Sequence, residues 1–286
     1  MNSIDCKIVI TNKSTIRISG YLLLYQGGTH LLKFPWRDLG DTPQYCGEIM
    51  YKKNTFYIYS INMLYFIPTP IWNKDDITVR AMKLFQSLDF FICEDTRTTM
   101  KLMKMYEIPY KEKKFFSLTS FTSNNQLAHY VDILKISDIG LVSEAGTPGL
   151  SDPGKSMIQL CNEYNIPYTV LPGANALVPA IVAAGFDTSA FVYLWFLPTK
   201  KGRQTKIQEI LASKIPVFVY ESVHRIEKLL KELSQAGFMG QISLARELTK
   251  MFEQHFTWTV EEVMNLIQEK KLPIKGEFVV WIKSEK

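Results

Sequence analysis

Residues 139–154 read IGLVSEAGTPGLSDPG, and this stretch decides the fold class. Its apolar start predicts a buried strand over Ile139–Ser143. The twelve residues from Ser143 to Gly154 contain three glycines and two prolines, a composition that gives a rigid, tightly turned loop able to approach a ligand closely. A helix with Met157, Ile158, Cys161 and Tyr164 on one face is predicted to follow. Strand, loop and helix in this order are typical of an α/β protein.

The same alternation runs from Met63 to the end of the chain. Further strands are predicted at Leu64–Ile67, Phe90–Cys93, Tyr168–Leu171, Phe191–Phe196, Val217–Tyr220, Ile242–Ala245 and Phe278–Ile282. Predicted helices include Thr98–Tyr106, Val223–Ala236 and one capped by Asp75 or Asp76, whose apolar stripe is Ile77, Ala81, Leu84, Phe85 and Leu88. We therefore predict an α/β fold with largely parallel sheets, an N-terminal domain over 63–186 and a C-terminal domain over 187–286.

Residues 1–62 differ from the rest of the chain. They hold five of the fifteen glycines, strand-like runs at Lys7–Thr11 and Tyr21–Tyr25, and no amphipathic helical pattern. Two interpretations stay open: a small β-rich appendage, or an extension with no fold of its own. Met63 stands directly before the first predicted strand of the main body, which makes it an alternative start of translation.

Composition excludes several classes of protein. No apolar run approaches the ~20 residues of a membrane span, and the N-terminus lacks the pattern of a secretory signal. The four cysteines form no CxxC pair, so we expect no disulfide, no metal site and a cytoplasmic protein. Residues 63–286 hold 26 of the 33 basic and 24 of the 28 acidic residues. This near-neutral body has no bulk charge signature of RNA binding.

Three loops follow predicted strands, where ligands bind in open α/β folds. They are 68–73 (PTPIWN), 143–154 and 171–176 (LPGANA). The amides of the second loop, with the helix that follows, could receive the carboxylate of an amino-acid-like cofactor. The alternative is an ordinary strand-to-helix connection. The loop is neither GxGxxG nor GxxxxGK[ST], which disfavours dinucleotides and nucleoside triphosphates.

Seven motifs occur in order from Leu64 onward: LYFIPTPIWNKDDITVRA, CEDTRTT, LVSEAGTPGLSDPG, VLPGANALVPAIVAAGF, FLPTKKGR, YESVHRIEKLL and ARELTKMFE. Together they resemble the small-subunit rRNA (cytidine-2'-O)-methyltransferases of the tetrapyrrole methylase superfamily. The resemblance covers nearly four-fifths of the chain. It implies a two-domain α/β tetrapyrrole-methylase fold, the class III S-adenosylmethionine-dependent methyltransferase fold, usually as a homodimer.

The resemblance also implies that S-adenosylmethionine binds folded between the two domains and that the partner is rRNA or the small ribosomal subunit. Asp152 and Gly154 are expected to hold the shape of the second loop. The implied cofactor-binding residues are Pro68, Thr69, Pro70, Ala145, Gly146, Thr147, Pro148, Pro172, Gly173 and Ala174.

Methyl transfer to a hydroxyl needs alignment of the reactants and removal of one proton. Glu94 is a candidate base and Arg97 a candidate phosphate ligand, although Glu94, Asp95 and Arg97 could equally form a buried ion pair that fixes the next helix. Glu221 and His224 are further candidate bases, and His224 could instead make a hydrogen bond at a helix start. Candidate RNA-binding residues are Lys200, Lys201, Arg203 and Arg225; the run from Lys200 to Lys206 is also typical of a solvated helix start.

The chain departs from the family pattern at three tryptophans. Trp72 and Trp195 stand where the motifs have glycine, and Trp258 where they have a small residue. Because such replacements are physically severe, we predict that all three are glycine in the cell, encoded by UGA codons that the organism reads as glycine. Residues 117–125 (SLTSFTSNN) also replace a stretch that is rich in His and Asn in the family. Two alternative functions stay open. One is a methylase of tetrapyrroles or other small molecules with the same fold. The other is a ribosome-binding homologue whose cofactor site is blocked by Trp72.

Overall fold

The computed structural model describes residues 62–119, 121–150 and 154–285, together with the backbone of strands within residues 15–61. Contacts divide the chain into two units. Unit 1 comprises the chain up to Thr69 and Ile77–Pro172, and unit 2 comprises Pro70–Asp76 and Gly173–Lys286. The domain limits drawn from the sequence, including a separate segment 1–62, stay predictions.

Among the described residues, five strands precede the main body. Strands β1 (Thr15–Ile18) and β2 (Tyr21–Leu24) pair antiparallel. A second antiparallel sheet joins β3 (Leu31–Pro35), β4 (Cys46–Lys52) and β5 (Thr55–Ile61). The predicted strand Lys7–Thr11 lies outside the described residues.

The main sheet of unit 1 has five parallel strands in the order β10-β6-β9-β7-β8. Their bounds are β6 Leu64–Ile67, β7 Phe90–Cys93, β8 Lys114–Ser117, β9 Ile139–Val142 and β10 Tyr168–Val170. Every residue of β6 and β9 is buried, as expected for central strands covered on both faces. The parallel arrangement predicted from the alternating pattern is confirmed here.

The helices described over this sheet are α1 Val79–Ser87, α2 Thr96–Met105, α3 Asn124–Leu134 and α4 Gly154–Glu163. The stripe predicted for α1 is confirmed, since Ala81, Leu84 and Phe85 are buried. Its predicted cap is wrong. Thr78 caps α1 by accepting from the Ala81 amide, because Asp75 and Asp76 lie in a separate 3₁₀ turn.

Unit 2 contains a second five-stranded sheet, ordered β11-β12-β15-β13-β14. Its elements are α5 Leu177–Ala184, β11 Val192–Phe196, α6 Arg203–Ala212, β12 Val217–Ser222, α7 Ile226–Gln235, β13 Gly240–Arg246, β14 Gln254–Trp258, α8 Val260–Gln268 and β15 Glu277–Ser284. Within the described part of this sheet, only β11 and β12 pair in parallel. The prediction of a largely parallel sheet is therefore wrong for unit 2, because β13 and β14 form a hairpin and β15 inserts antiparallel between β12 and β13.

One apolar core of unit 2 lies between this sheet and helices α6, α7 and α8, and a second cluster packs α5 against the sheet. The first includes Ile207 from α6, Leu229 and Leu233 from α7, and Val263 from α8, all fully buried. Helix α7 carries a strongly one-sided apolar stripe, so its polar face is left for charged residues. Among the described residues, no helix is long and apolar enough to cross a membrane.

Candidate functional site

The loops after β6 and β9 are joined in unit 1 by an isolated antiparallel bridge. The Thr69 amide donates to the Gly146 carbonyl at 2.9 Å, and the Gly146 amide donates back to Thr69 at 3.1 Å. The Ser143 hydroxyl also donates to the Gly146 carbonyl, at 2.9 Å. Gly146 has a φ of 79°, a left-handed conformation that strongly favours glycine. The EAGTP segment is therefore held rigidly at the carboxyl edge of the sheet.

The residues expected to bind the cofactor are divided between the two units and differ in solvent exposure. Pro68, Thr69, residues 145–148 and Pro172 belong to unit 1, whereas Pro70, Gly173 and Ala174 belong to unit 2. Ala145 and Pro172 are exposed, and Thr147, Gly173 and Ala174 are half-buried. The formation of one pocket by both sets stays a prediction.

The end of the second loop is held by a close approach of two glycine backbones. A Cβ atom placed on Gly154 would lie 2.9 Å from the Gly149 Cα atom, a distance at which the backbone has to shift. Gly154 therefore needs to be glycine for a steric reason, in line with its expected part in shaping the loop. Asp152 lies outside the described residues.

Two carboxylates lie side by side at the carboxyl edge of unit 1. Glu94 follows β7 and Glu144 follows the neighbouring strand β9. Burial raises the pKa of Glu94 above its usual value, and the negative charge of Glu144 raises it further. The sequence placed Glu144 in the second ligand loop but gave it no role in proton transfer, although its position after a predicted strand, like that of Glu94, is a signal that could have suggested one.

Arg97 is directed to Asp95 rather than to Glu94. Its guanidinium forms an ion pair with the Asp95 carboxylate at 2.6 Å, and hydrogen bonds from Arg97 hold the pKa of Asp95 down at about 2. Asp95 also caps α2 by accepting from the Arg97 amide. The ion pair that fixes the adjacent helix is thus present between Asp95 and Arg97. The burial expected for this ion pair is wrong, since the Arg97 side chain is 83% exposed.

A groove of about 200 Å³ lies next to Glu144 on the same unit. Drug-sized ligands usually occupy ~300–1,000 Å³, so this groove alone does not enclose a molecule of that size. It is lined by Thr98, Thr99, Lys101, Leu102, Met105, Ser143 and Glu144.

The second group of candidate residues surrounds the end of β12. Glu221 is buried, and its carboxylate forms ion pairs with Arg203 at 3.5 Å and with Arg225 at 2.7 Å. Arg203 is itself only 2% exposed and also pairs with Glu232 at 2.7 Å. This burial corrects the interpretation of Arg203 as a phosphate ligand and as part of a solvated helix start. Glu232 was missed because it lies 29 residues from Arg203 and no local pattern connects them.

The remaining candidates near β12 are accessible. Lys200 and Lys201 are exposed on the loop between β11 and α6, and His224 is exposed in the turn before α7. Arg225 is partly exposed, with 22% of its side chain accessible. The helix predicted to begin at Val223 begins at Ile226 as α7, so His224 precedes this helix rather than lying within it.

Comparison with known proteins decides the family. The family model of the Tetrapyrrole (Corrin/Porphyrin) Methylases matches residues 63–264. This chain belongs to that family.

Curated relatives of this tetrapyrrole methylase share one name. It is 37% identical to "Ribosomal RNA small subunit methyltransferase I" of Helicobacter pylori over 242 residues, which cover 78% of this chain and 84% of the relative. It is also 37% identical to the protein of the same name from Hydrogenobaculum, covering 78% of this chain and 96% of that relative. The resemblance inferred from the seven motifs is confirmed.

Solved structures support the fold of this tetrapyrrole methylase. Cobalt precorrin-4 methyltransferase, a cobalamin biosynthetic enzyme, matches with a TM-score of 0.54 and 15% identity, over 77% of this chain and 94% of the other. At this low identity the similarity concerns the fold alone. The class III methyltransferase fold expected from the motifs is confirmed.

The three unusual tryptophans of this tetrapyrrole methylase differ in backbone conformation. Trp195 has a φ of 56°, within the left-handed region that bulky residues avoid. It lies where the pairing of β11 with β12 shifts register. Trp258 has no such conformation, and its half-buried ring packs on Phe256 with centroids 5.0 Å apart. The backbone thus favours glycine at 195 and gives no such signal at 258.

Trp72 makes polar contacts within unit 2 of the tetrapyrrole methylase. Its indole N–H donates to Glu277 at 2.6 Å, and the Lys250 ammonium lies 3.7 Å from the ring centroid. The side chain is nevertheless 57% exposed. These contacts keep the ring against the segment of β15 and the ARELTK motif.

The described cysteines of this tetrapyrrole methylase are buried and unpaired. Burial raises the pKa of the Cys93 thiol to about 12 and that of Cys161 to about 11. Within the described ranges, no cluster of three or more His, Cys, Asp or Glu is arranged to hold a metal ion. Cys6 lies outside the described residues, as does the side chain of Cys46.

Proposed function

We propose that this chain is an S-adenosylmethionine-dependent methyltransferase that methylates the ribose 2'-hydroxyl of a cytidine in small-subunit rRNA. The observation that carries the proposal is its identity of 37% over most of its length with proteins named for methylation of that RNA. The partner is accordingly rRNA or the small ribosomal subunit, and the place of action is the cytoplasm, where small subunits are assembled and used.

The residues of unit 1 fit the cofactor. The Gly146 backbone is left-handed and has no side chain, and its position is fixed by the bridge to Thr69. Ala145 and Thr147 flank it with small, accessible side chains, so a ligand can approach the backbone closely. When bound, S-adenosylmethionine supplies an electrophilic methyl group on a positively charged sulfur. Pro68, Thr69, Ala145, Gly146, Thr147 and Pro148 would hold it from unit 1.

Glu94 is our candidate for the group that accepts the hydroxyl proton. Its raised pKa brings the carboxylate closer to the pH at which the enzyme works, which improves a general base. Glu221 is less suited, because its carboxylate is buried between two arginines. His224 is exposed in the turn before α7 and is the remaining candidate base.

Basic side chains of unit 2 would bind RNA phosphates. Lys200 and Lys201 are exposed on one loop, and Arg225 is partly exposed beside that loop. Arg225 donates to the Leu197 carbonyl at 3.1 Å, which ties it to the segment that carries both lysines. A local patch of this kind is sufficient for phosphate contacts in a protein whose main body is nearly neutral.

We also propose that the enzyme acts as a homodimer. Helix α5 exposes Val178 and Val182 by 54% and 73%. The two valines are four residues apart and so share one face of the helix, which a second copy of the chain would cover. Sedimentation of the purified protein tests this, since a monomer at micromolar concentration contradicts it.

The function is tested by incubating the purified chain with small ribosomal subunits and S-adenosylmethionine labelled on the methyl group. We expect label in the rRNA and none in a tetrapyrrole offered instead. Label in the tetrapyrrole alone would favour a methylase of small molecules. That activity is the second candidate, because cobalt precorrin-4 methyltransferase has the same fold, at 15% identity to this chain.

A non-enzymatic homologue is the other alternative, and Trp72 is the observation that motivates it. The indole of Trp72 stands in the PTPIWN loop, where the family motif has glycine. Calorimetric titration with S-adenosylmethionine separates the two possibilities. Micromolar binding supports the enzyme, whereas no binding supports a homologue whose cofactor site is blocked.

A further inference from the structure

Four charged residues of unit 2 form what we call the arginine–glutamate cluster: Arg203, Glu221, Arg225 and Glu232. The side chains of Arg203 and Glu221 are 3% and 0% exposed, and that of Glu232 is 11% exposed. Two positive and two negative charges balance within the cluster. Burial of so many charges is costly unless each is paired, and here every member has an ion-pair partner.

The cluster is not arranged for stability alone. Arg203 Nη2 and Glu221 Oε2 are buried and, among the described residues, have no hydrogen-bond partner. Buried polar atoms without partners destabilise a fold, and apolar side chains of similar volume often replace buried ion pairs without loss. The feature that apolar side chains would not reproduce is a fixed position for Arg225.

Arg225 is held on three sides. Its Nε atom is 2.7 Å from Glu221 Oε1, its Nη1 atom donates to the Leu197 carbonyl at 3.1 Å, and its guanidinium lies 5.7 Å from the Phe196 ring centroid. Among the described residues, none accepts a hydrogen bond from its Nη2 atom. The partly exposed guanidinium therefore offers one N–H₂ group to a ligand, in a direction set by Glu221.

Arg203 reaches the same carboxylate from the buried side. It begins α6, pairs with Glu221 Oε2 through Nη1 and with Glu232 through Nε, and donates to the Pro198 carbonyl at 3.2 Å. Its planar fork is what allows one side chain to hold two carboxylates and a carbonyl at once, and lysine cannot reproduce this geometry. Glu221 is thus fixed from one side by Arg203 and fixes Arg225 on the other.

We propose that Arg203 is a positioning residue for RNA binding: it acts through Glu221 to fix Arg225, whose free N–H₂ group contacts an rRNA phosphate. This inference rests on the proposed function, because it takes small-subunit rRNA as the ligand. Arg203 itself does not touch RNA.

A double-mutant cycle tests the proposal by equilibrium binding of the full chain to small ribosomal subunits, without any requirement for methyl transfer. We expect Arg203→Lys and Arg225→Met each to weaken binding about tenfold, the effect of losing one charge-assisted contact. Because Arg203 acts through Arg225, adding Arg203→Lys to Arg225→Met should weaken binding by no more than about twofold further. A double variant weakened by the product of the two single effects overturns the proposal.

Further readouts separate positioning from a purely structural role. Both single variants should raise KM for the subunit more than they lower kcat, and should leave affinity for S-adenosylmethionine unchanged. An Arg203→Lys protein that folds and binds subunits as tightly as the parental chain overturns the positioning role. Lys228→Met is the matched control, because Lys228 pairs with Glu232 from an exposed position and should leave RNA affinity unchanged.

A second variant keeps the test decisive if Arg203→Lys fails to fold. Glu221→Gln leaves Arg203 paired with Glu232 but removes the charge that connects Arg203 to Arg225. We expect RNA affinity to fall as in Arg225→Met, and unchanged affinity overturns the proposal. If the parental chain binds subunits but transfers no methyl group, the proposed function fails while the cycle still reports on positioning.

Discussion

Thr69 and Gly146 exchange two backbone hydrogen bonds, at 2.9 and 3.1 Å, and thereby lock together the loops that follow the central strands β6 and β9. Gly146 makes the bridge in a left-handed conformation. The loop geometry on which the cofactor assignment rests thus depends on one glycine and one buried threonine, separated widely in sequence and adjacent in space.

Replacement of Gly146 tests the cofactor assignment. We expect Gly146→Arg to abolish measurable S-adenosylmethionine binding in calorimetry, because the side chain would enter the ligand space and the left-handed backbone would be strained by about 1–2 kcal/mol. Gly185→Arg is the matched control, since Gly185 has a similar φ of 67° with nothing within 4 Å of its Cβ position. Unchanged affinity in Gly146→Arg would show that this loop does not hold the cofactor.

The pH dependence of methylation tests Glu94 as the base. The reaction needs its carboxylate, so kcat should fall as the pH drops through a pKa that lies above the usual value for glutamate. Glu144→Gln removes a neighbouring negative charge and should lower the pKa of Glu94. The acidic limb of the profile of kcat against pH should then move to lower pH. The exposed Glu163→Gln variant should leave the limb in place. An acidic limb that stays fixed in Glu144→Gln argues against Glu94.

The backbone at residue 195 allows a direct test of the tryptophan hypothesis. Trp195→Gly should raise the free energy of unfolding by about 1 kcal/mol, because glycine adopts a positive φ without strain. The control is Phe196→Gly in the same strand, which has no positive φ and should lower stability. A less stable Trp195→Gly protein would contradict the strain argument.

The gene decides the same hypothesis for all three tryptophans. We expect UGA at codons 72, 195 and 258, and peptide masses from the source organism that correspond to glycine. UGG at these codons would make the tryptophans genuine and would leave Trp72 as an argument for a blocked cofactor site.

Much of unit 1 could be predicted from the sequence, because its elements follow local periodicity. The stripe of α1 and the strands β6, β7 and β9 are set by apolar spacing over a few residues. The antiparallel insertion of β15 could not be predicted, since the pairing of β12 with β15 joins residues some sixty positions apart.

The candidate site shows the same limit. The motifs identified Glu94, Gly146 and Arg225 as candidate site residues. They could not show whether a charged side chain is buried, because burial depends on residues distant in sequence. Arg203 has the flanking residues of an exposed phosphate ligand, with Lys200 and Lys201 before it. Only its contacts with Glu221 and Glu232 show that it is internal.

The two described cysteines should resist alkylation in the folded protein. Burial raises the pKa of both thiols far above neutrality, so almost no thiolate is present at pH 8. Mass spectrometry after iodoacetamide treatment should find Cys93 and Cys161 unmodified in the native protein and modified after denaturation. Rapid native labelling of Cys93 would contradict its placement in the sheet.

The most direct test of the proposed function is the identity of the nucleotide that receives the methyl group. Small subunits are methylated with labelled S-adenosylmethionine, the rRNA is digested to nucleosides, and the labelled nucleoside is identified by mass spectrometry. We predict label in 2'-O-methylcytidine at a single site, with no label when Gly146→Arg replaces the parental chain. Label on a base, on another nucleoside, or in no RNA at all would contradict it.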